Sequence, residues 1–419
     1  MNRTITRIFL LILFPFVSVQ AQEILTLDAC YQTAEENYPL QKKSDLLSRQ
    51  MDIEKGILFT QKLPKLELAA QATYQSDVIS LPITLPNMSL DIPNQEQWKA
   101  TVNVNQLLYN GGVIGLKSKL KEAETQSEKQ VIAVAFHNIK QQINQLYFSI
   151  LLIDKTQELL QNNRQQLREK ITEIQKRIGH GVAPENADGP LQVKVLELQQ
   201  KIVESSVRRT QLIDKLGLLL GKKIPENTVF EQDLSTSKSL QVRPELQQFE
   251  LKREIINRNE QVIRKKNYPK IMAFGTAGIG NPGLNMLDNS VQDFYIIGAR
   301  LQWNVFDWHS AKKQRQILEI NKEVVDNQQE VFEWQQEIAA KSYQSDIDKY
   351  QQLLHSDREL IDLHKKNVQT AENQLKHDLI TPAAYTAAMN KMLQAEINQK
   401  IHEIQLRLAQ ANYQITMYN

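Results

Sequence analysis

Leu107–Leu120 reads LLYNGGVIGLKSKL and joins two kinds of structure. Before it, Trp98, Ala100, Val102 and Val104 alternate with Lys99, Thr101, Asn103 and Asn105, the period of a strand with one apolar face. After it, neither Gly nor Pro occurs from Leu116 to Ile178, a run of 63 residues that predicts one long helix. The turn Asn110-Gly111-Gly112 supplies the backbone freedom for so abrupt a change. The event recurs at Leu301–Gln314, LQWNVFDWHSAKKQ, where Asp307 is placed to cap the following helix.

The recurrence is part of a repeat. Pro39 and Pro64 match Pro244 and Pro269 at an offset of 205, while Tyr109 and His180 match Phe306 and His377 at an offset of 197. The first copy therefore carries eight extra residues, placed in QSDVISLPITLPNMSLDIPNQ, whose shorter counterpart is NPGLNMLDNS. Loops absorb such insertions, whereas strands and long helices do not. Each half reads helix, strand, loop, strand, long helix, tight turn, helix. The predicted layout is a signal peptide over 1–21, a first repeat over 22–215, an equatorial connector over 216–242 and a second repeat over 243–419. In the first repeat strands are expected at about 64–76 and 96–109 and a helical hairpin at 113–215. In the second, strands are expected at about 269–280 and 292–306 and a hairpin at 308–419.

The long helices carry a second period. Ile139, Ile143, Leu146, Ile150, Ile153, Gln157, Leu160, Arg164, Leu167, Ile171, Ile174 and Ile178 step by four and three in turn, and ten of these twelve are apolar. A spacing near 3.5 is that of coiled-coil packing. Leu191, Val195, Leu198 and Ile202, and Ile397, Ile401, Ile404 and Leu408, follow a similar rule after each turn. With only 14 Gly and 13 Pro in 419 residues, the composition suits long solvated helices rather than one compact core.

The N-terminus reads as a targeting segment. Arg3 and Arg7 precede the ten-residue apolar run Ile8–Val17, and Val19-Gln20-Ala21 is a small-residue cleavage site. Ten apolar residues fall short of the roughly 20 that a spanning helix needs, so export is expected rather than anchoring. Without Arg3 and Arg7, basic and acidic residues balance at 48 each, and no basic stripe points to nucleic acid. Cys30 has no disulfide partner in the chain and reads as a small buried hydrophobe.

Motifs for chemistry are absent or misplaced. Gly278–Gly283, GIGNPG, fits G-x-G-x-x-G, but Pro282 and the following NMLDNS give no helix to hold a pyrophosphate. No Ser-His-Asp arrangement, paired carboxylates or metal-ligand spacing can be singled out, so no enzyme, cofactor or metal is expected.

Strands of about ten residues with one apolar face fit a transmembrane barrel, and by period alone they fit a soluble hairpin with one wet face equally well. In lipid, four strands cannot close a barrel, since the smallest use about eight, and an open edge costs several kcal/mol per unpaired backbone group. Several chains would have to contribute.

The signal peptide, LTLDACYQTAEENYPLQ, QLLYNGG with its echo WNVFDW, and the turns HGVAPENAD and HDLITPAAY resemble the TolC-like outer membrane efflux proteins over nearly the whole mature chain. The resemblance implies a mainly α fold with a membrane β-barrel. Three copies would build a twelve-stranded barrel and an α-helical tunnel extending from the outer membrane into the periplasm of a Gram-negative bacterium. It implies an exit duct for a tripartite efflux pump or a type I secretion system, served by a periplasmic membrane-fusion adaptor and an inner-membrane pump of RND, ABC or MFS type. A non-channel coiled-coil structural protein is the alternative.

Candidate site residues follow. Gly181, Val182, Leu379 and Ile380, at the two hairpin turns, are the expected adaptor-docking tips. Asp378, Asp188 and His377 are candidates for the pore constriction. The chain departs from the family here: Asp378 stands where a turn Gly is usual, Leu375 where a Tyr is, and Ala384 and Ala387 where constricting aspartates are. Tyr74, Trp98, Tyr109, Tyr295, Trp303, Phe306 and Trp308 are expected at membrane interfaces or on lipid-facing strands.

Overall fold

The computed structural model describes residues 24–79, 94–231 and 243–417. The expected signal peptide, most of the first loop and part of the connector lie outside them. Thirteen elements follow one another among the described residues. The first half has β1 (Ile24–Leu25), α1 (Leu27–Asn37), α2 (Gln41–Thr60), β2 (Lys65–Tyr74), β3 (Glu96–Tyr109), α3 (Val113–Gly179) and α4 (Gly189–Leu220). The second has β4 (Val229–Phe230), α5 (Pro244–Lys266), β5 (Lys270–Asn281), β6 (Gln292–Gln302), α6 (Ser310–Lys376) and α7 (Pro382–Met417). The two long helices are both 67 residues, about 100 Å of helix each at 1.5 Å per residue.

The repeat extends to the backbone of the strand-to-helix turns. Gly111 and Gly112 have φ of 71° and 80°, and their counterparts 197 positions on, Trp308 and His309, have φ of 52° and 61°. The first helical bonds also correspond: Val113 N–H to Asn110 O and Ser310 N–H to Asp307 O, then Leu116 N–H to Gly112 O and Lys313 N–H to His309 O. A Cβ on Gly111 would stand 2.6 Å from Tyr268 Cβ, so only Gly fits there. Asp307 caps α6 as expected, its Oδ2 accepting from Ala311 N–H at 2.9 Å and from Asn267 Nδ2 at 2.6 Å. β6 stops at Gln302, short of the expected 306, because Trp303–Asp307 prepares this turn.

The fold divides into two compact units, and α3 and α6 contribute to both. One unit takes the described parts of Pro39–Ile139, Ser239–Ser342 and Gln414–Asn419. It holds α2, α5 and an antiparallel sheet of order β2-β3-β5-β6. The β3–β5 pairing joins the two halves, and β2 and β6 are left as edges.

The other unit takes the described parts of Met1–Tyr38, Lys140–Lys238 and Tyr343–Tyr413. Here β1 pairs in parallel with β4, and the Tyr147 hydroxyl lies 2.9 Å from Leu25 O and 2.7 Å from Glu231 O. Asn144, fully buried, accepts from the Tyr31 hydroxyl and donates to Asn412 at 2.8 Å. The core of the hairpins is formed by Leu160, Leu167 and Ile174 of α3, Leu191 and Leu198 of α4, Ala371 and Leu375 of α6, and Tyr385, Met389 and Leu393 of α7. Truncating one such Leu to Ala costs about 2–5 kcal/mol. The buried seam of α3 runs through Leu160, Asn163, Leu167, Lys170 and Ile174, with Ile171 packed beside it.

Candidate functional site: an apolar sheet face and two matched helical turns

Strand register assigns each residue of the sheet to one of two faces. Leu68 pairs with Val102, Val102 with Ala277, and Ala277 with Tyr295. The next row on that face is Leu66, Val104, Gly275 and Ile297. Its large side chains are bare: Leu66 is 71% exposed, Leu68 78%, Tyr295 74% and Ile297 80%. The opposite face carries Lys65, Glu67, Gln71, Lys99, Thr101, Asn103, Thr276 and Arg300, with the Thr276 hydroxyl donating to Asn103 Oδ1 at 2.8 Å. Water on both sides would not leave one face so apolar across four strands. A face this wide and bare calls for a cover that the described residues do not supply.

The aromatic residues cluster mainly toward the two ends of the apolar face. Tyr74 and Trp98 stand at the loop end, and the Tyr74 hydroxyl donates to Gln95 Oε1. Tyr109 stands at the helix end. A bulge between Leu107 and Tyr109 shifts the register so that Tyr109 pairs with Ile271 on the apolar face, where strict alternation would have turned it away. Trp303, Phe306 and Trp308 follow β6 at the same end, all exposed, with the Phe306 and Trp308 rings edge-on at 4.8 Å. Tyr295 lies further in.

In the other unit the two hairpin turns are built alike. α3 ends with Gly181 at φ 71°, Gly181 N–H bonded to Ile178 O and Val182 N–H to Arg177 O. α6 ends with Asp378 at φ 58°, Asp378 N–H bonded to Leu375 O and Leu379 N–H to Gln374 O. Both are Schellman caps, offset by 197 residues. Thr381 then caps α7 through Ala384 N–H, with Pro382 in its first turn.

The Schellman geometry decides what the tips present. The residue after the left-handed position ordinarily packs on the third residue from the helix end. Those third residues are the polar Arg177 and Gln374, so Val182 and Leu379 turn outward, 61% and 72% exposed. Gly181 is exposed, and Ile380 is half-buried against the hairpin core.

The three constriction candidates sit differently. His377 is exposed. Asp188 is buried, accepting from Gln175 Nε2 at 2.8 Å and Gln192 Nε2 at 2.6 Å. The Gln175 bond first, then the Gln192 bond, holds its carboxyl below the ordinary range. Asp378 is exposed but paired: Arg177 Nη2 lies 2.6 Å from both of its oxygens. Arg177 Nη1 also donates to Leu375 O at 3.2 Å, so one side chain of the first hairpin caps α6 and holds the turn after it.

A second cross-link lies among the core side chains. Lys170 is buried, with Nζ 2.6 Å from Glu173 and 3.0 Å from Glu372, and 5.9 Å from the centre of the Tyr385 ring. Burial depresses the lysine pKa, but the bonds to Glu173 and Glu372 outweigh it, and the net direction is up. Sequence reading missed Arg177 and Lys170. Period alone could have flagged Lys170, seven residues from both Asn163 and Arg177 and midway between Leu167 and Ile174 on the seam.

No helix among the described residues is long and apolar enough to cross a membrane, and no group there could hold a metal ion. No protein-family model matches the sequence, and no curated protein does. Solved structures do. The outer membrane protein VceC from Vibrio cholerae superposes with a TM-score of 0.65 at 14% identity, covering 94% of this chain and 96% of that one. The open-state MtrE outer membrane channel of Neisseria gonorrhoeae gives 0.65 at 14%, covering 93% and 88%. The CmeC outer membrane channel of Campylobacter jejuni gives 0.62 at 14%, covering 94% and 85%. The chain has the TolC-like outer membrane channel fold.

Proposed function

We propose that this protein is the passive outer membrane exit duct of a tripartite efflux pump or type I secretion system. The observation that carries the reading is the exposed apolar face that crosses all four strands of a sheet with two free edges. A lone sheet of this kind would aggregate in water and could not sit in lipid with its edges unpaired. Three copies joined edge to edge supply twelve strands, which is enough to close a barrel. Lys65, Glu67, Lys99, Asn103 and Arg300 then line a wet lumen, and the apolar face meets the membrane. The helical hairpins extend into the periplasm as a tunnel, and Val182 and Leu379 present the surface for a periplasmic adaptor. The duct performs no chemistry; energy comes from an inner-membrane pump.

The reading is tested by extraction and conductance. The protein should leave membranes only with detergent, run as a trimer, and give single-channel steps in a planar bilayer. Release of a monomer by a salt wash, with no conductance, would instead favour a structural coiled-coil protein.

A further inference from the structure

The two ends of the sheet carry opposite charge. At the loop end, residues 74–98 and 281–293 contain no Lys or Arg in the sequence, while Asp77, Glu96, Asp288 and Asp293 are acidic. At the helix end the sign reverses. Lys117 and Lys119 lie in the first turns of α3, Lys312 and Lys313 in the first turn of α6, Lys266 at the end of α5, and Lys62 just after α2. The register brings these helix ends to one end of the sheet: Lys65 pairs with Asn105, Lys270 with Gln302, and Tyr109 with Ile271.

All six of these lysines are exposed, and none has an ion pair or side-chain hydrogen bond among the described residues; Lys62 Nζ lies 6.0 Å from the centre of the Phe59 ring, a looser contact than that of Lys265 with the Tyr268 ring. Several other cations nearby are engaged. Lys121 is paired with Glu54 and Glu124, Arg264 with Glu260, and Lys265 lies 3.8 Å from the centre of the Tyr268 ring. Lys65 and Lys270 fall on the polar face of the sheet, away from the apolar belt.

Unpaired charge of one sign gathered at one end of a sheet is not explained by the fold of the chain, since like charges repel. It directly adjoins the exposed aromatics Tyr109, Phe306 and Trp308, and Lys312 is one turn on from Trp308. An apolar belt, then aromatic rings, then free lysines is the order met on leaving a bilayer through an anionic headgroup layer. We propose that these six lysines form a collar that binds the headgroups of anionic phospholipids in the periplasmic leaflet. This rests on the outer membrane reading above. The collar would fix the depth of the barrel and orient it, because the acidic loop end is repelled by the same surface.

The test uses the full chain reconstituted in phosphatidylcholine vesicles with brominated phosphatidylglycerol or brominated phosphatidylcholine, reading tryptophan quenching. Quenching should be stronger with the brominated anionic lipid, and the preference should fall as salt is raised. In the variant Lys117→Gln/Lys119→Gln/Lys312→Gln/Lys313→Gln the preference should drop about tenfold or more, as expected for four surface lysines, with quenching by brominated phosphatidylcholine retained. Equal quenching of the unaltered protein by both lipids overturns the collar and leaves the channel reading intact. So does a lipid preference that survives in the variant while its ion selectivity changes, which would place the lysines in the lumen. Quenching by neither lipid takes down the outer membrane reading as well. The salt titration needs no variant, so a folding defect in the variant leaves the proposal testable.

Discussion

Arg177 and Asp378, 201 residues apart in the chain, meet where the two helical hairpins turn, with guanidinium Nη2 2.6 Å from each carboxylate oxygen. The bond joins the end of α3 to the turn after α6, so any motion separating the hairpins must break it. As Asp378 is largely exposed, the pair is expected to contribute no more than about 1 kcal/mol.

That magnitude suits a catch that a partner can release. A double-mutant cycle of Arg177→Gln and Asp378→Asn should give a coupling of about 0.5–1 kcal/mol. In planar bilayers Asp378→Asn should lengthen open dwell times, and the double variant Arg177→Gln/Asp378→Asn, which removes both charges of the pair and leaves the net charge unaltered, should do so with cation selectivity nearly unchanged. Altered selectivity with unchanged gating would instead place Asp378 on the pore wall.

The second prediction concerns backbone strain. Trp308 and His309 occupy left-handed backbone where the first half has Gly111 and Gly112. A non-glycine residue there costs about 1–2 kcal/mol, partly offset by the entropy that Gly loses on folding. His309→Gly should therefore raise stability by roughly 0.5–1 kcal/mol, seen as a higher Tm. Gly111→Ala should lower it, since the new Cβ meets Tyr268. A lower Tm for His309→Gly would mean that contacts of the imidazole outweigh the strain.

These positions show what the sequence could and could not reveal. The repeat, the strands and the long helices were legible because period and punctuation are local signals. Asp307 as a cap was legible for the same reason. The Arg177–Asp378 bond was not, because pairing between side chains 201 positions apart leaves no periodic trace. Tyr109 was expected at an interface, but the bulge that turns it onto the apolar face arises from pairing with β5 and cannot be read from alternation. Asn163 and Lys170 are buried where the four-and-three period put Arg164 and Ile171, because the packing of α3 against its neighbours, which the period does not contain, sets which of two adjacent positions turns inward.

A third prediction separates depth in the membrane. Ile297 lies in the interior of the apolar face, while Trp303 follows the end of β6. Ile297→Arg should cost about 2–4 kcal/mol and reduce trimer yield, whereas Trp303→Arg, near the interface, should cost only about 0–1 kcal/mol. Equal yields of the two variants would argue against lipid contact at Ile297.

The fourth prediction is acid sensitivity at the first turn. The folded-state pKa of Asp188 lies below its unfolded value because Gln175 and Gln192 donate to the carboxylate. The unfolded state then binds more protons, so the stabilisation is complete above about pH 4–5 and is lost as pH falls through the folded pKa. Asp188→Asn should flatten the acid limb of a Tm-against-pH curve without moving its neutral plateau by more than about 1 kcal/mol. An unchanged acid limb would show that other carboxylates dominate it.

The last prediction addresses docking. Val182 and Leu379 occupy the same position in two matched Schellman caps, and both are turned outward because Arg177 and Gln374 offer them no apolar partner. Burying an exposed Leu against a partner is worth about 1.5–3 kcal/mol, and a carboxylate in its place must be desolvated. Leu379→Asp should therefore abolish transport in cells and adaptor cross-linking while leaving trimers and bilayer conductance intact. Val182→Asp should do the same less severely, since Val buries less area. Leu379→Met, which keeps the apolar surface, should retain transport, and this separates docking from a general defect of the turn. Full transport by Leu379→Asp would remove the tips from the docking surface.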